Sequence, residues 1–107
     1  MPHRFNVSKT QAISAPQVNY TGAIMNNYDF TNRSMPDGIF VSSTMNNANF
    51  SGDDLQGADF VGTEMENANF AGANLAGANF VGADLKGANF SGANTSGANF
   101  TGCYGGP

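Results

Sequence analysis

Ala68-Asn69-Phe70-Ala71-Gly72, followed by Ala73-Asn74-Leu75-Ala76-Gly77, is the stretch that decides the fold. Each five-residue half reads small, Asn, large apolar, variable, Gly. Outward from it, a large apolar residue recurs at every fifth position from Tyr20 to Phe100, and only Thr95 breaks the series. The series takes in every Leu, every Met but Met1 and every Phe but Phe5. A period of five matches neither the 3.6 of a helix nor the 2 of a straight strand.

A second track accounts for the mismatch. A small residue stands two positions before most of the large ones, as in Ala48, Ala58, Ala68, Ala78 and Ala88. Residues two apart in an extended chain face the same way, so the Ala and the large residue point inward together. The next inward Ala comes three residues later, which requires a corner in the gap. Gly52, Gly62, Gly72 and Gly82 fall in that gap, where a permissive backbone is useful. Asn or Asp just before the large residue, as at Asn49 and Asp59, supplies side chains that bond locally to turn backbone. Each pentapeptide is thus one short side and one corner.

The number of sides follows from alternation. Phe occupies every tenth position, with Met or Leu between, so like stacks on like only if the coil has an even number of sides; four is the smallest plausible. The residue after Phe agrees: Val41, Val61 and Val81 alternate with Ser51, Ala71 and Ser91, a 20-residue period. About four such coils at ~4.8 Å each predict a rod ~20 Å tall. The predicted class is all-β: a solenoid over 18–102, an N-terminal arm or cap at 1–17, and a short C-terminal tail at 103–107.

These motifs resemble the pentapeptide-repeat family, whose motif is A(N/D)LXX with a central Leu or Phe. The resemblance covers about 18–102 and is most specific between Ala48 and Gly102. It implies a right-handed quadrilateral β-helix with four pentapeptides per coil. It also implies that the C-terminal end is a place for dimerisation. It says little about activity, because this fold serves unrelated roles.

Composition narrows the function classes. Of 107 residues only 11% are charged, and the net charge is −4. Four cations cannot make the basic face of a duplex binder, so no direct nucleic-acid binding is expected. No 18-residue apolar run and no apolar stretch near Met1 occurs, so neither a membrane span nor a secretory signal is predicted, and a cytoplasmic location is expected. His3 and Cys103 are single and far apart, and Cys103 sits on the small inward track as a buried thiol. No catalytic set, cofactor site or metal site is predicted. Asp53, Asp54, Asp59, Glu64, Glu66 and Asp84 gather around the middle coils, but side chains leaving different sides of a square cannot converge on one ion. Glu66 and Lys86 stack one coil apart on the outside.

The departures from the pattern are the candidate sites. Tyr28 and Arg33 stand at small inward positions of the first coil. Arg33 lies one coil from Asp53, which predicts an internal ion pair; if the first coils are distorted, both reach solvent instead. Val41, Val61 and Val81, flanked by Thr21 and Thr101, predict a flat β-branched strip on one face, either a docking strip or merely good strand formers left exposed. No helix follows the last repeat, so the C-terminal coil ends uncapped, with Tyr104 placed to lie over the core as a partial plug. Ser8 to Ser14 offers at most a helical turn before Pro16. The expected function is a non-enzymatic rigid module that docks to a protein partner, a larger assembly or another copy, through the C-terminal coil or the arm. The alternative is a DNA-mimic inhibitor of an enzyme such as gyrase. Mimicry needs about one charge per 1.7 Å, whereas 67–107 carry only Asp84 and Lys86.

Overall fold

Every bridge between coils among the described residues follows one rule: a residue pairs with the one 20 positions later. The computed structural model describes residues 17–107; the expected arm, the Ser8–Ser14 turn and His3 lie outside the described residues, apart from Gln17. Four ladders of parallel bridges run the length of the solenoid. Asn19, Ile39, Asp59, Asn79 and Asn99 form one, and Ile24, Thr44, Glu64 and Asp84 the next. Asp29, Asn49, Asn69 and Asn89 form the third, and Ser34, Asp54, Asn74 and Asn94 the fourth. Four ladders mean four sides, and the coil is a square. In the second ladder, strand β1 (Asp84–Leu85) pairs in parallel with β2 (Tyr104–Gly105), so pairing continues past the expected end of the repeats at 102.

With the exception of the one between Phe30 and Arg33, the corners are closed by the same hydrogen bond. The large residue's carbonyl accepts the N–H three residues on, as in Ala73 N to Phe70 O at 3.0 Å. The residue between, two after the large one, has positive φ: Gly72 at 69°, Gly82 at 69°. That is the type II geometry, which demands glycine or a tolerant substitute at its third position. In the N-terminal half the substitutes are Asn27, Asn32, Asp37, Ser42 and Asn47, with Asn67 further on. Pro36 precedes Asp37 at the second turn position, where its fixed φ fits.

Inside the square the large residues form four columns. Phe30, Phe50, Phe70 and Phe90 stack with centroids 4.9–5.1 Å apart, and Phe40, Phe60, Phe80 and Phe100 stack at 4.7–5.0 Å on the opposite wall. Between walls the rings meet edge-on, as Phe50 and Phe60 do at 5.8 Å and 84°. Parallel-displaced and edge-to-face contacts are the two arrangements a ring quadrupole favours. The remaining corners hold Met45, Leu55, Met65, Leu75 and Leu85, all fully buried. At ~1.5–3 kcal/mol for each buried large side chain, these columns dominate the stability. Ala48, Ala58, Ala68, Ala73, Ala78 and Ala83 fill the small inward positions between them, all buried.

Three inward small positions are polar and buried, Ser43, Asp53 and Thr63, and the two hydroxyls among them are satisfied. Ser43 Oγ and Thr63 Oγ1 each donate to the Phe40 carbonyl at 2.7 Å. Among the described residues no helix is long and apolar enough to cross a membrane.

Candidate interaction surfaces

The outward Asx residues lock the corners, as their position predicts. Asn69 Oδ1 accepts the Ala71 N–H at 2.9 Å, and Asn79 and Asn89 do the same for Val81 and Ser91. Thr44 and Glu64 replace Asx on the second side, and there the chain substitutes a different donor–acceptor pair. The Asn46 N–H goes to Asn26 Oδ1 and the Glu66 N–H to Asn46 Oδ1, each at 2.9 Å, so an Asn of the preceding coil takes over. Sequence reasoning missed this Asn26–Asn46 column; its signal was the 20-residue spacing of two residues outside the motif.

Val41, Val61 and Val81 do stack, half-buried, with exposed Thr21 and Thr101 at the two ends. Their place differs from the expectation. Each is the second residue of a corner turn, so the strip runs down an edge of the square and not across a flat face. The reason is the turn itself: the residue after the large one has already left the extended side. Their carbonyls point along the rod, Val41 O accepting from Gly22 N at 3.0 Å and Val61 O from Ser42 N at 2.9 Å. What the edge offers a partner is therefore valine methyls.

At the C-terminal end the core opens. Phe90, Thr95 and Phe100 are half-buried, whereas Phe70, Leu75 and Phe80 one coil earlier are fully covered. In the earlier coil the N–H groups of Phe70, Gly72, Leu75, Gly77, Phe80 and Gly82 all donate to the next coil. Their counterparts Phe90, Gly92, Thr95, Gly97, Phe100 and Gly102 have no acceptor among the described residues. Among the described residues the end is thus a ring of unpaired donors around an apolar centre. Tyr104 does not plug it: this side chain is 66% exposed, because it occupies the outward position above Asp84. Gly106 runs beside the end instead: a β-carbon added there would lie 3.8 Å from Leu85 Cδ1 and from Phe100 Cδ1. Cys103 is half-buried, with Sγ 3.4 Å from the Gly105 carbonyl.

Apart from buried Asp53, the acidic residues of the middle coils spread over the outside. Asp54, Asp59 and Glu64 lie on three different ladders, and among the described residues no three His, Cys, Asp or Glu side chains gather closely enough to hold a metal. Lys86 Nζ lies 3.9 Å from Glu66 and 3.8 Å from Asp84. Such exposed pairs contribute little. No pocket forms among the described residues.

The first coil corrects the expected ion pair. Arg33 and Asp53 do lie one above the other, but the contact is Arg33 main-chain N–H to Asp53 Oδ1, at 2.7 Å. The guanidinium stays outside, 5.5 Å over the Phe30 ring, with Nη2 3.5 Å from the Asp29 carbonyl. Pulling it inward would desolvate a cation at a position sized for alanine, and the aromatic face outside is a cheaper partner. Asp53 is left 1% exposed with Oδ2 unpartnered. Burial pushes its carboxyl up to about 6, against smaller lowering effects from the Arg33 N–H and charge. Exposed Asp29 is held below the usual range, chiefly by the Thr31 hydroxyl and then by the Thr31 N–H.

The comparisons agree with this geometry. The profile of the family described as pentapeptide repeats matches in eight copies, over residues 40–70, 48–87 and 68–104, more than half of the chain. Comparison with curated protein sequences gave no match. Among solved structures, alr5209 from Nostoc PCC 7120 is similar, with a TM-score of 0.66 and 21% identity, over 92% of this chain and 93% of that one. HetL, described as involved in heterocyst differentiation regulation in Nostoc sp. strain PCC 7120, gives 0.63 and 19% over 80% of this chain. The chain spans only 46% of HetL's length. QnrB1, a plasmid-mediated fluoroquinolone resistance protein, gives 0.43 at 24% identity, over 79% of this chain and 53% of that one, too poor a superposition to carry an argument. Square coils, type II corners, the inward Ala and Phe columns and the repeat profile together mark the fold as a right-handed quadrilateral β-helix, and the chain belongs to the pentapeptide-repeat family.

Proposed function

We propose that the chain is a non-enzymatic, rigid docking module whose principal contact is the open C-terminal coil, with a protein partner or a second copy as its occupant. The observation that carries this reading is the ring of six N–H groups with no acceptor among the described residues, around half-buried Phe90, Thr95 and Phe100. Unpaired donors beside apolar surface are satisfied by another backbone edge, and covering the rings removes them from water. The valine edge is a secondary contact, since three half-buried side chains in line give too little area to hold a partner alone.

Thr95 is the informative position, because it occupies the middle of the exposed end without supporting a coil above it. Thr95→Lys places a charge there and leaves the closed coils untouched. Light scattering of the full chain at rising concentration should show association, and the variant should lose it. A wild-type chain that stays monomeric, and that captures no partner differently from Thr95→Lys, overturns the reading.

DNA mimicry is the weaker reading. The acidic side chains are divided among several sides, and the last coils carry almost none. A gyrase supercoiling assay tests it directly: inhibition by the chain would favour mimicry over docking.

A further inference from the structure

The corner between Phe30 and Arg33 is built unlike its neighbours. Elsewhere in the first two coils the turn closes on itself, as in Ala23 N to Tyr20 O at 2.9 Å and Gly38 N to Met35 O at 3.0 Å. At Arg33 the main-chain N–H turns away from Phe30 O and is taken by a side chain of the next coil, Asp53 Oδ1. This corner is therefore held by an ionisable group. The same carboxyl has its second oxygen buried with nothing to bond, in a column that continues as Ala73 and Ala93.

We propose that Asp53 is a proton-operated latch on the first coil: neutral, it clamps the Arg33 corner shut, and ionised, it makes that coil open away from the rest of the rod.

The charges around Asp53 are few and unbalanced. From the coil below, Arg33 faces it but keeps its guanidinium outside over Phe30. Asp29, on the adjoining side, opposes ionisation. Its chain neighbour Asp54 points outward, bonding the Gln56 N–H, and the coil above presents Ala73. A charge at Oδ2 thus lacks both water and a hydrogen-bond donor, a combination that buried carboxylates avoid. Opening the first coil supplies water at once. Nothing larger needs to move, because a solenoid coil contacts only its neighbours, and this one is terminal among the described residues. Its departure would uncover Phe50 and Met45, adding apolar surface at the N-terminal end.

Hydrogen exchange on the full chain tests this, with rates corrected for intrinsic pH dependence. The amides of Phe30, Asn32 and Met35 bond the second coil, and those of Phe60 and Phe80 report the middle and later coils. Raising the pH from about 5 to about 8 should lower protection of the first set on the order of tenfold, and leave the second set unchanged. Asp53→Asn should abolish the change; Asp53→Ala, which extends the alanine column, serves if the amide variant folds poorly. A carbon-13 titration of the Asp53 carboxyl assigns the proton. An ordinary carboxylate titration, equal loss in all coils, or a pH response that persists in both variants would overturn the proposal.

Discussion

The side-chain oxygen of Asn67 occupies the space over Gly87 that a β-carbon would need. Gly72, at the equivalent corner of another column, has nothing within 4 Å of that place. The two glycines share a positive φ, 74° and 69°, so they differ only in the neighbour below. Gly72→Ala should therefore cost only the left-handed strain, roughly 1 kcal/mol, and Gly87→Ala distinctly more. Replacing Asn67 by Gly should bring the two costs together in a double-mutant cycle read by urea unfolding.

Ser42 holds a φ of 57° without glycine's freedom or the Asn and Asp side chains that tolerate it. Ser42→Gly should stabilise by roughly 0.5–1 kcal/mol, since strain relief exceeds the added chain entropy. A lower thermal midpoint for the variant would show that Ser42 bonds compensate.

Gly38 is buried where every other full coil carries Ala at that column, and the reason is Val18. A β-carbon there would lie 2.9 Å from Phe40 Cε2 and 3.0 Å from Val18 Cγ2. Gly38→Ala should destabilise by about 1–3 kcal/mol through overpacking, and Val18→Ala should recover part of the loss. Denaturant midpoints of the three variants decide it.

Asp53 sets a pH dependence whose sign runs opposite to that of a salt-bridged carboxylate. Its carboxyl is raised from 3.8 to about 6, so the folded state holds the proton more tightly than the unfolded chain. Its contribution is full below about pH 4, declines as the pH rises to about 6 and is level above, an order-of-magnitude loss of about 3 kcal/mol. Asp53→Asn should flatten that part of the profile. Asp29, held low and exposed, acts in the opposite direction over the acid range. Thermal melts from about pH 4 to 8 on wild type and variant provide the check.

Phe60 stacks on Phe40 and Phe80 at 4.7 and 4.8 Å and meets Phe50 and Phe70 edge-on. Phe60→Ala should cost about 3–5 kcal/mol, whereas Phe100→Ala, half-buried with no coil above, should cost much less. Equal costs would mean that the last coil is covered in solution.

The square coil was legible because its determinants are periodic. Phe50, Phe60, Phe70 and Phe80 repeat the same environment, so one misread position cannot shift the register. What escaped reading depends on single neighbours one coil away. Val81 was assigned to a face and lies on a corner, because alternation alone does not say where an extended side ends. Asn27, Asp37 and Ser42 sit at the glycine position of the turn, yet their residue types mask the equivalence. Arg33 and Asp53 were correctly stacked, but stacking does not decide whether backbone or side chain meets the carboxylate. That choice rests on desolvating a guanidinium against placing it on the Phe30 ring, a balance of solvation that spacing does not encode.

Because each residue repeats its contacts 20 positions later, duplicating any 20-residue block would insert one more square between two existing ones. The rod would lengthen by ~4.8 Å and both ends would keep their chemistry. Length and end recognition are therefore separable in this chain, and selection could set the reach of the molecule like a ruler, one increment at a time, without redesigning what either end touches.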